Sequence, residues 1–274
     1  MLISVISPYH NRRDALYRTL KTLEKSSVNE FEYVIVDDGS SEHERIEDFV
    51  TEFKFLKLIR IEPYQKNYIN PCIPFNLAIA RASGDIAILQ PPECLHVGDV
   101  LHHVLENSKS NQYLVYSCYS LGIDAGRRVD QVDFDLTWPN LEFAIRKAIG
   151  KFRNESADKV GRYDSWYSHP IYRKAYFNFL VSMPMEDLRD LGGFDERFAF
   201  GHAADDRDFV ARVFRKKMDI KMVEKPWGIH QYHPVFVPTT GNHMADVRRN
   251  NAVYEQTVKE TSYKVKNSFI KEIK

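Results

Sequence analysis

The sequence predicts an α/β fold: a mostly parallel central sheet flanked by helices, with a further lobe built on it. Two observations carry this. Short Val- and Ile-rich runs alternate with stretches of helical period through the first hundred or so residues. Runs such as Tyr33-Val-Ile-Val are continuously apolar, the pattern of strands buried on both faces rather than on one.

The elements follow in order. Leu2–Ser7 reads as the first strand and Asp14–Glu24 as the first helix, with Ala15, Leu16, Leu20 and Leu23 on one stripe. Phe31–Val36 is the second strand, Glu42–Phe53 the next helix and Phe55–Ile61 the third strand. Pro74–Ala82 is a helix with proline near its first turn, and Ile86–Leu89 the fourth strand. From Val115 to Pro184 the chain is aromatic-rich and less periodic, with Trp138, Tyr163, Trp166, Tyr167, Tyr172, Tyr176, Phe177 and Phe179, and reads as the second lobe. Asp205 and Asp206 then stand at or near the start of a helix whose stripe is Phe209, Val210, Val213 and Phe214. The last thirty or so residues have a charged, helical composition and read as a terminal helix on the surface.

Composition bounds the function. The chain has 274 residues, 43% hydrophobic and 28% charged, ordinary for a soluble globular protein. Lys plus Arg and Asp plus Glu both total 38, so no global field draws it to nucleic acid or an anionic membrane, and any anionic ligand must be held by local geometry. The three cysteines, Cys72, Cys94 and Cys118, fit neither a zinc site nor a disulfide framework, and reduced thiols in a cytoplasmic protein are expected. No stretch approaches the roughly 18 uncharged apolar residues of a spanning helix, so the expectation is a soluble or at most peripherally attached protein.

Chemistry is expected at one sheet edge. In a parallel sheet the carboxyl ends of the strands share an edge, and ligands of open α/β sheets bind outside it. Ser7-Pro8-Tyr9-His10-Asn11, Asp37-Asp38-Gly39-Ser40-Ser41 and Gln90-Pro91-Pro92-Glu93 follow the first, second and fourth strands and would converge there. The Asp37-Asp38 carboxylates suit hydrogen bonds from a base or ribose while Gly39 permits a tight turn; the same residues also suit an ordinary strand-to-helix turn.

Four fragments occur together: ISVISPYHNRRDALYRTLKTL, YVIVDDGSSE, NPCIPFNLAIARASGDIAILQ and GGFDERFAFGHAADDRDFVAR. In order and spacing they resemble the inverting, family-two-like glycosyltransferases of the GT-A fold, over most of residues 1 to 108 and 184 to 216. The resemblance implies a GT-A-like, Rossmann-like sheet that moves a sugar from a nucleotide donor, a UDP-sugar, to a hydroxyl of a glycan or glycoconjugate with inversion. It implies a nucleotide-sugar-binding half over 1–108, an acceptor and catalytic-base half over 109–240, and a helical extension over 241–274. Pro8, Tyr9 and Asn11 would line the nucleotide entry, Asp37 or Asp38 would contact uracil or ribose, and Asn76 and Gln90 would lie near the donor. Asp206 matches the general base, with Asp205 where Glu is usual, and Gly192, Gly193 and Phe194 would turn beneath the acceptor. WYSHPIYRKAYFNF resembles an acceptor-side segment, so Trp166, Tyr167 and His169 are acceptor candidates, although such rings equally serve as core.

One departure bears on the cofactor. Gln90-Pro91-Pro92-Glu93 stands where the family carries Asp-x-Asp, leaving Glu93 as the acidic residue for a divalent cation, Mn or Mg, with His230 or His233 as a second ligand. His230 also reads as a structural or acceptor-lining histidine, and His96 as aimed at solvent. Asp206 at a helix start would be kept ionised by free backbone N–H groups, or would simply cap the helix. Asp208 and Arg212, four apart, read as a surface pair. Two other classes share such a fold: a catalytically inactive glycan- or nucleotide-binding relative, and a nucleotidyltransferase, which SPYHNRRD disfavours because it lacks a Gly-rich, Lys-containing phosphate loop.

Overall fold

The structure is a computed structural model that describes residues 1–156, 164–234, 240–265 and 267; Tyr163 lies outside the described residues. Its elements are β1 (Ile3–Tyr9), α1 (Arg13–Leu23), β2 (Phe31–Asp38), α2 (Phe49–Glu52), β3 (Leu56–Ile61), α3 (Cys72–Arg81), β4 (Ile86–Leu89), β5 (Cys94–Val97) and α4 (Val100–Asn107). There follow β6 (Gln112–Ser120), α5 (Ile123–Val129), α6 (Asn140–Ile149), β7 (Ser165–Ser168), β8 (Val181–Pro184), α7 (Met185–Leu191), α8 (Asp205–Arg215), β9 (Asp219–His230) and α9 (His243–Thr257).

One nine-stranded sheet runs β3-β2-β1-β4-β8-β6-β9-β5, with β7 beside β6. The first four strands are parallel, as the alternation of strand and helix requires. Beyond them β8 is antiparallel to both β4 and β6, β6 and β9 are parallel, and β5 returns antiparallel to β9. Alternation divides the side chains between two apolar layers: Ile3, Val5, Tyr33 and Ile35 pack with Leu16, Leu20 and Leu101, while Ile6, Val34 and Val36 pack with Ile73, Leu77 and Phe209. A third apolar cluster joins α5 and α6 to Trp166, Trp227 and Tyr119 and forms the aromatic lobe.

Four expectations change. Glu42–Phe53 is not one helix but a 3-10 turn at Glu42–Glu44 followed by α2. The Glu44 carbonyl, which a continuous helix would bond internally, accepts from the Tyr9 hydroxyl, and the Glu44 carboxylate accepts from the Arg13 backbone N–H. The C-terminal helix ends at Thr257, and the chain then returns along α7, with Val265 N–H donating to the Leu191 carbonyl. Asp208 and Arg212 are not on the surface: both side chains are buried, Arg212 donating to Asp208 at 2.7 Å and to the Leu191 carbonyl at 3.1 Å. An i,i+4 spacing is silent about which face is covered; here α9 and the turn after α7 pack over it. His96 is buried rather than facing solvent, because β5 pairs with β9 and leaves its ring against Gln90.

Candidate active site

The carboxyl ends of β1, β2 and β4 meet at a cleft of about 610 Å³, within the range of small-molecule sites. Pro8, Tyr9, His10 and Arg12 come from the first turn, Asp38 from the second, and Pro91 and Pro92 from the fourth strand's end. Asp205, Asp206 and His202 close it from the far part of the chain.

At one end Asp38 accepts from the Tyr68 hydroxyl at 2.7 Å and from Lys66 Nζ at 2.8 Å. Its neighbour Asp37 points the other way along the strand, fully buried, pairing with Arg60 and accepting from Ser40 N–H. Alternation therefore gives Asp38 to the ligand side and Asp37 to the fold. Asn11, left-handed at φ 50°, accepts from Ser41 N–H and holds the first and second turns together outside the cleft lining.

At the other end α8 begins with Asp205 and Asp206 in its first turn, and its N-cap is Ala204, whose methyl side chain accepts no capping hydrogen bond. Neither carboxylate is the cap. Ala203 and Ala204 have φ of 61° and 68°, two consecutive left-handed residues that are not glycine, a strained entry that the surroundings enforce. Asp205 is buried and accepts from Asn70 Nδ2 at 3.0 Å. Burial, and next the charge of Asp205, push the Asp206 carboxyl up to about 7. The sequence-based expectation is a carboxylate favoured by the helix N-terminus; desolvation and a neighbouring acid act in the opposite direction.

Beside the cleft lies a second cluster. Glu93 is buried, and its Oε1 meets His230 Nε2 at 3.2 Å, His233 Nε2 at 3.2 Å and the Arg12 guanidinium. Burial acts to raise the Glu93 carboxyl, but Arg12 and the two histidines hold it well below the usual range. Burial acts to lower His230, while the hydrogen bond and charge of Glu93 act to raise it. The three candidate ligand atoms lie within 4.8 Å of one another. His233 Nδ1 is 2.9 Å from the Pro234 carbonyl, which only accepts, so Nδ1 carries a proton. Glu93 Oε2 is buried without a hydrogen-bond partner among the described residues, an open acceptor position beside the two imidazoles. One carboxylate and two imidazoles with these open positions fit a divalent transition metal better than Mg, which prefers oxygen donors.

The other sequence candidates fall elsewhere. Asn76 does not reach the cleft: its amide is buried, exchanging two bonds of 2.8 Å with the Phe194 backbone and so tying α3 to the Gly192-Gly193 turn. A Cβ at Gly193 would stand 2.4 Å from Asn76 Oδ1, and both glycines have positive φ, which is why this turn is glycine. Gln90 is fully buried, bonded to His96 and the Cys94 carbonyl. Tyr167 stacks on Phe179 and meets His230 edge-on, centroids 5.0 Å apart, whereas Trp166 and His169 line a different cavity. Sequence reasoning missed Arg12, Lys66, Tyr68 and Asn70. Arg12 stands in HNRRD directly after the first strand, a visible signal; the others lie in a loop with no pattern of its own.

Comparison with known proteins agrees with this architecture. The profile of glycosyl transferase family 2 matches residues 4–179, more than half of the chain, and a profile described as the N-terminal domain of galactosyltransferase matches residues 163–236, which include Asp205 and Asp206. The chain belongs to glycosyl transferase family 2. No curated protein matches it significantly. Among solved structures it is similar to S. aureus TarS 1–349 in complex with UDP-GlcNAc, with TM-score 0.58 and 16% identity over 90% of this chain and 61% of that one. It is also similar to the mannosyltransferase PcManGT from Pyrobaculum calidifontis in complex with GDP-Man and Mn2+, with TM-score 0.50 and 15% identity over 93% and 62%. The fold is therefore that of GT-A-like glycosyltransferases, and the chain spans less than two thirds of these proteins' length. Among the described residues no helix is long and apolar enough to cross a membrane.

Proposed function

We propose that the protein transfers a sugar from a nucleotide-sugar donor, a UDP-sugar, to a hydroxyl of a glycan or glycoconjugate with inversion, and that Asp206 is the general base. The observation that carries this is the pairing, on one cleft, of Asp38 with its Lys66 and Tyr68 partners and an Asp206 whose carboxyl is held at about 7. The first arrangement offers a fixed acceptor for base or ribose hydrogen bonds. The second is a base matched to neutral pH, where a carboxylate both exists and takes a proton readily. UDP-GlcNAc in the similar TarS structure supports the donor class.

In the proposed step Asp206 accepts the acceptor hydroxyl's proton while that oxygen bonds to the anomeric carbon and the bond to the diphosphate oxygen breaks. Inversion needs this one carboxylate on the side opposite the leaving group. Asp205, held by Asn70, stays beside it and keeps its proton affinity high. Glu93, His230 and His233 would hold a divalent cation, Mn by the donor set, which supplies positive charge to the departing diphosphate. Arg12 lines the cleft and reaches Glu93, so its guanidinium supplies a second positive charge on the same side. We place the activity in the cytoplasm, where the three free, buried cysteines would remain reduced.

The test is a panel of nucleotide sugars scored by thermal shift with and without manganese, followed by transfer assays in excess chelator. UDP-sugars are expected to raise the melting temperature more with manganese than without, since a ligand that binds only the folded state stabilises it by mass action. Full transfer in excess chelator refutes the metal assignment, and no response to any nucleotide refutes the donor class.

A further inference from the structure

The aromatic lobe contains a second cavity, of about 210 Å³, that shares no lining residue with the cleft. Its walls are Trp166, Trp227, Phe152 and Tyr172, and its rim carries Arg146, Asn154, Glu224 and Lys225. We propose that this cavity is a second carbohydrate site, binding one neutral pyranose unit of a glycan away from the place of transfer. The proposal rests on the glycosyltransferase reading only for the class of ligand.

Four features favour a sugar. The cavity is smaller than the roughly 300–1,000 Å³ of sites for drug-sized ligands, too small for a nucleotide donor. The rings form a stack: buried Trp166 lies near-parallel to Phe152, at 19° with centroids 6.1 Å apart, and to Tyr172, at 22° and 6.3 Å, so the ring surface left to a ligand is that of the partly exposed Phe152 and Tyr172. Such faces cover the C–H face of a pyranose, which is apolar while its hydroxyls are not. Hydrogen-bond capacity is left over. Trp166 Nε1–H is buried with no partner among the described residues, and His169 Nδ1 accepts from the Ile171 and Tyr172 N–H groups, which leaves the proton on Nε2. The rim itself carries two cations and one carboxylate, and Glu142 just outside it offsets the surplus. Arg146 is paired with Glu142 at 2.8 Å and lies over Trp227, and Glu224 stands beside Lys225, so neither a phosphate nor a uronic acid finds a surplus of positive charge.

The site is also connected to the cleft by the alternation of β7. Trp166 takes part in the second cavity, while the next residue, Tyr167, turns to the opposite side and meets His230. One short strand thus serves both places.

Tryptophan fluorescence reads the proposal directly, since two of the three tryptophans line the cavity. The full chain is titrated with the methyl glycosides of glucose, galactose, mannose and N-acetylglucosamine, with and without UDP. The expected result is a saturable change with at least one glycoside, preserved in UDP and weakened about tenfold or more in Tyr172→Ala, whose UDP-induced thermal shift is unchanged. No saturable change with any of the four, a change that UDP abolishes, or equal binding by Tyr172→Ala overturns it. Because the readout is sugar binding and not transfer, an inactive transferase that binds a glycoside here sinks the proposed function and leaves this site standing, and the reverse result does the opposite.

Discussion

Replacing Asp206 by Asn separates a base from a structural acid by moving rate and stability in opposite directions. The Asp206 carboxyl stands at about 7 against an ordinary 3.8. A carboxyl raised on folding adds stability that is fully present below the unfolded value and is lost as pH rises through the folded one. The wild type is therefore penalised from about pH 4 upward, and the penalty levels off above about pH 7, at about 4 kcal/mol as an upper figure. Asn mimics the protonated acid and escapes this. Urea unfolding at pH 5 and pH 8 should show the variant's advantage growing by about 3 kcal/mol between the two. Transfer should fall by about two to four orders of magnitude, the usual worth of a general base, with UDP binding retained. A helix-capping role predicts the contrary: a loss of about 1 kcal/mol at both pH values. A variant that is less stable at pH 8, or that keeps more than a few per cent of activity, refutes the assignment.

Asp38→Asn should weaken UDP about tenfold in calorimetric titration while altering kcat little, because one charge-assisted acceptor is lost at the nucleotide end. Glu93→Gln should abolish the manganese-dependent part of the thermal shift and lower transfer by about a hundredfold or more; retention of both would remove Glu93 from the metal site. Arg212→Met should cost about 3–5 kcal/mol in chemical unfolding by stranding the buried Asp208, and Asp208→Leu combined with it should recover most of that loss. Ala203→Gly should stabilise by about 1 kcal/mol, since the left-handed backbone suits glycine, and a destabilised variant would show that the methyl packing outweighs the strain.

The parallel half of the fold is legible because its strands are buried on both sides and so announce themselves as continuous apolar runs; Ile86–Leu89 is found at its predicted limits. The antiparallel half is harder to see. β7 and β8 have four residues each, too short for a period, and their strand character comes from pairing with β6 and β4 rather than from composition. In the site, Asp38 and Asp206 line the cleft and Glu93 clusters with both late histidines beside it, while Asn76 and Gln90 are absorbed by the core. A polar side chain after a strand faces ligand or fold according to one step of alternation, which Asp37 and Asp38 divide between them. The partners that set proton affinity, Asn70 at Asp205 and Arg12 at Glu93, come from remote segments, and no local pattern encodes them.

The two asparagines in and just before α3 bear on how the protein comes to exist as one body. Asn70 reaches 135 residues along the chain to Asp205, and Asn76 reaches 118 residues to Phe194. Until that later chain arrives, Asn76 lacks both its bonds to Phe194, Asn70 keeps only its local bond from Cys72 N–H, and β4 lacks its neighbour β8. A fragment ending near residue 108 would expose an unpaired strand edge and leave two amides short of partners, so it should aggregate rather than persist as a small nucleotide-binding module. The seam ties the segment that carries Asp38 to the segment that carries Asp206, the two ends of one cleft.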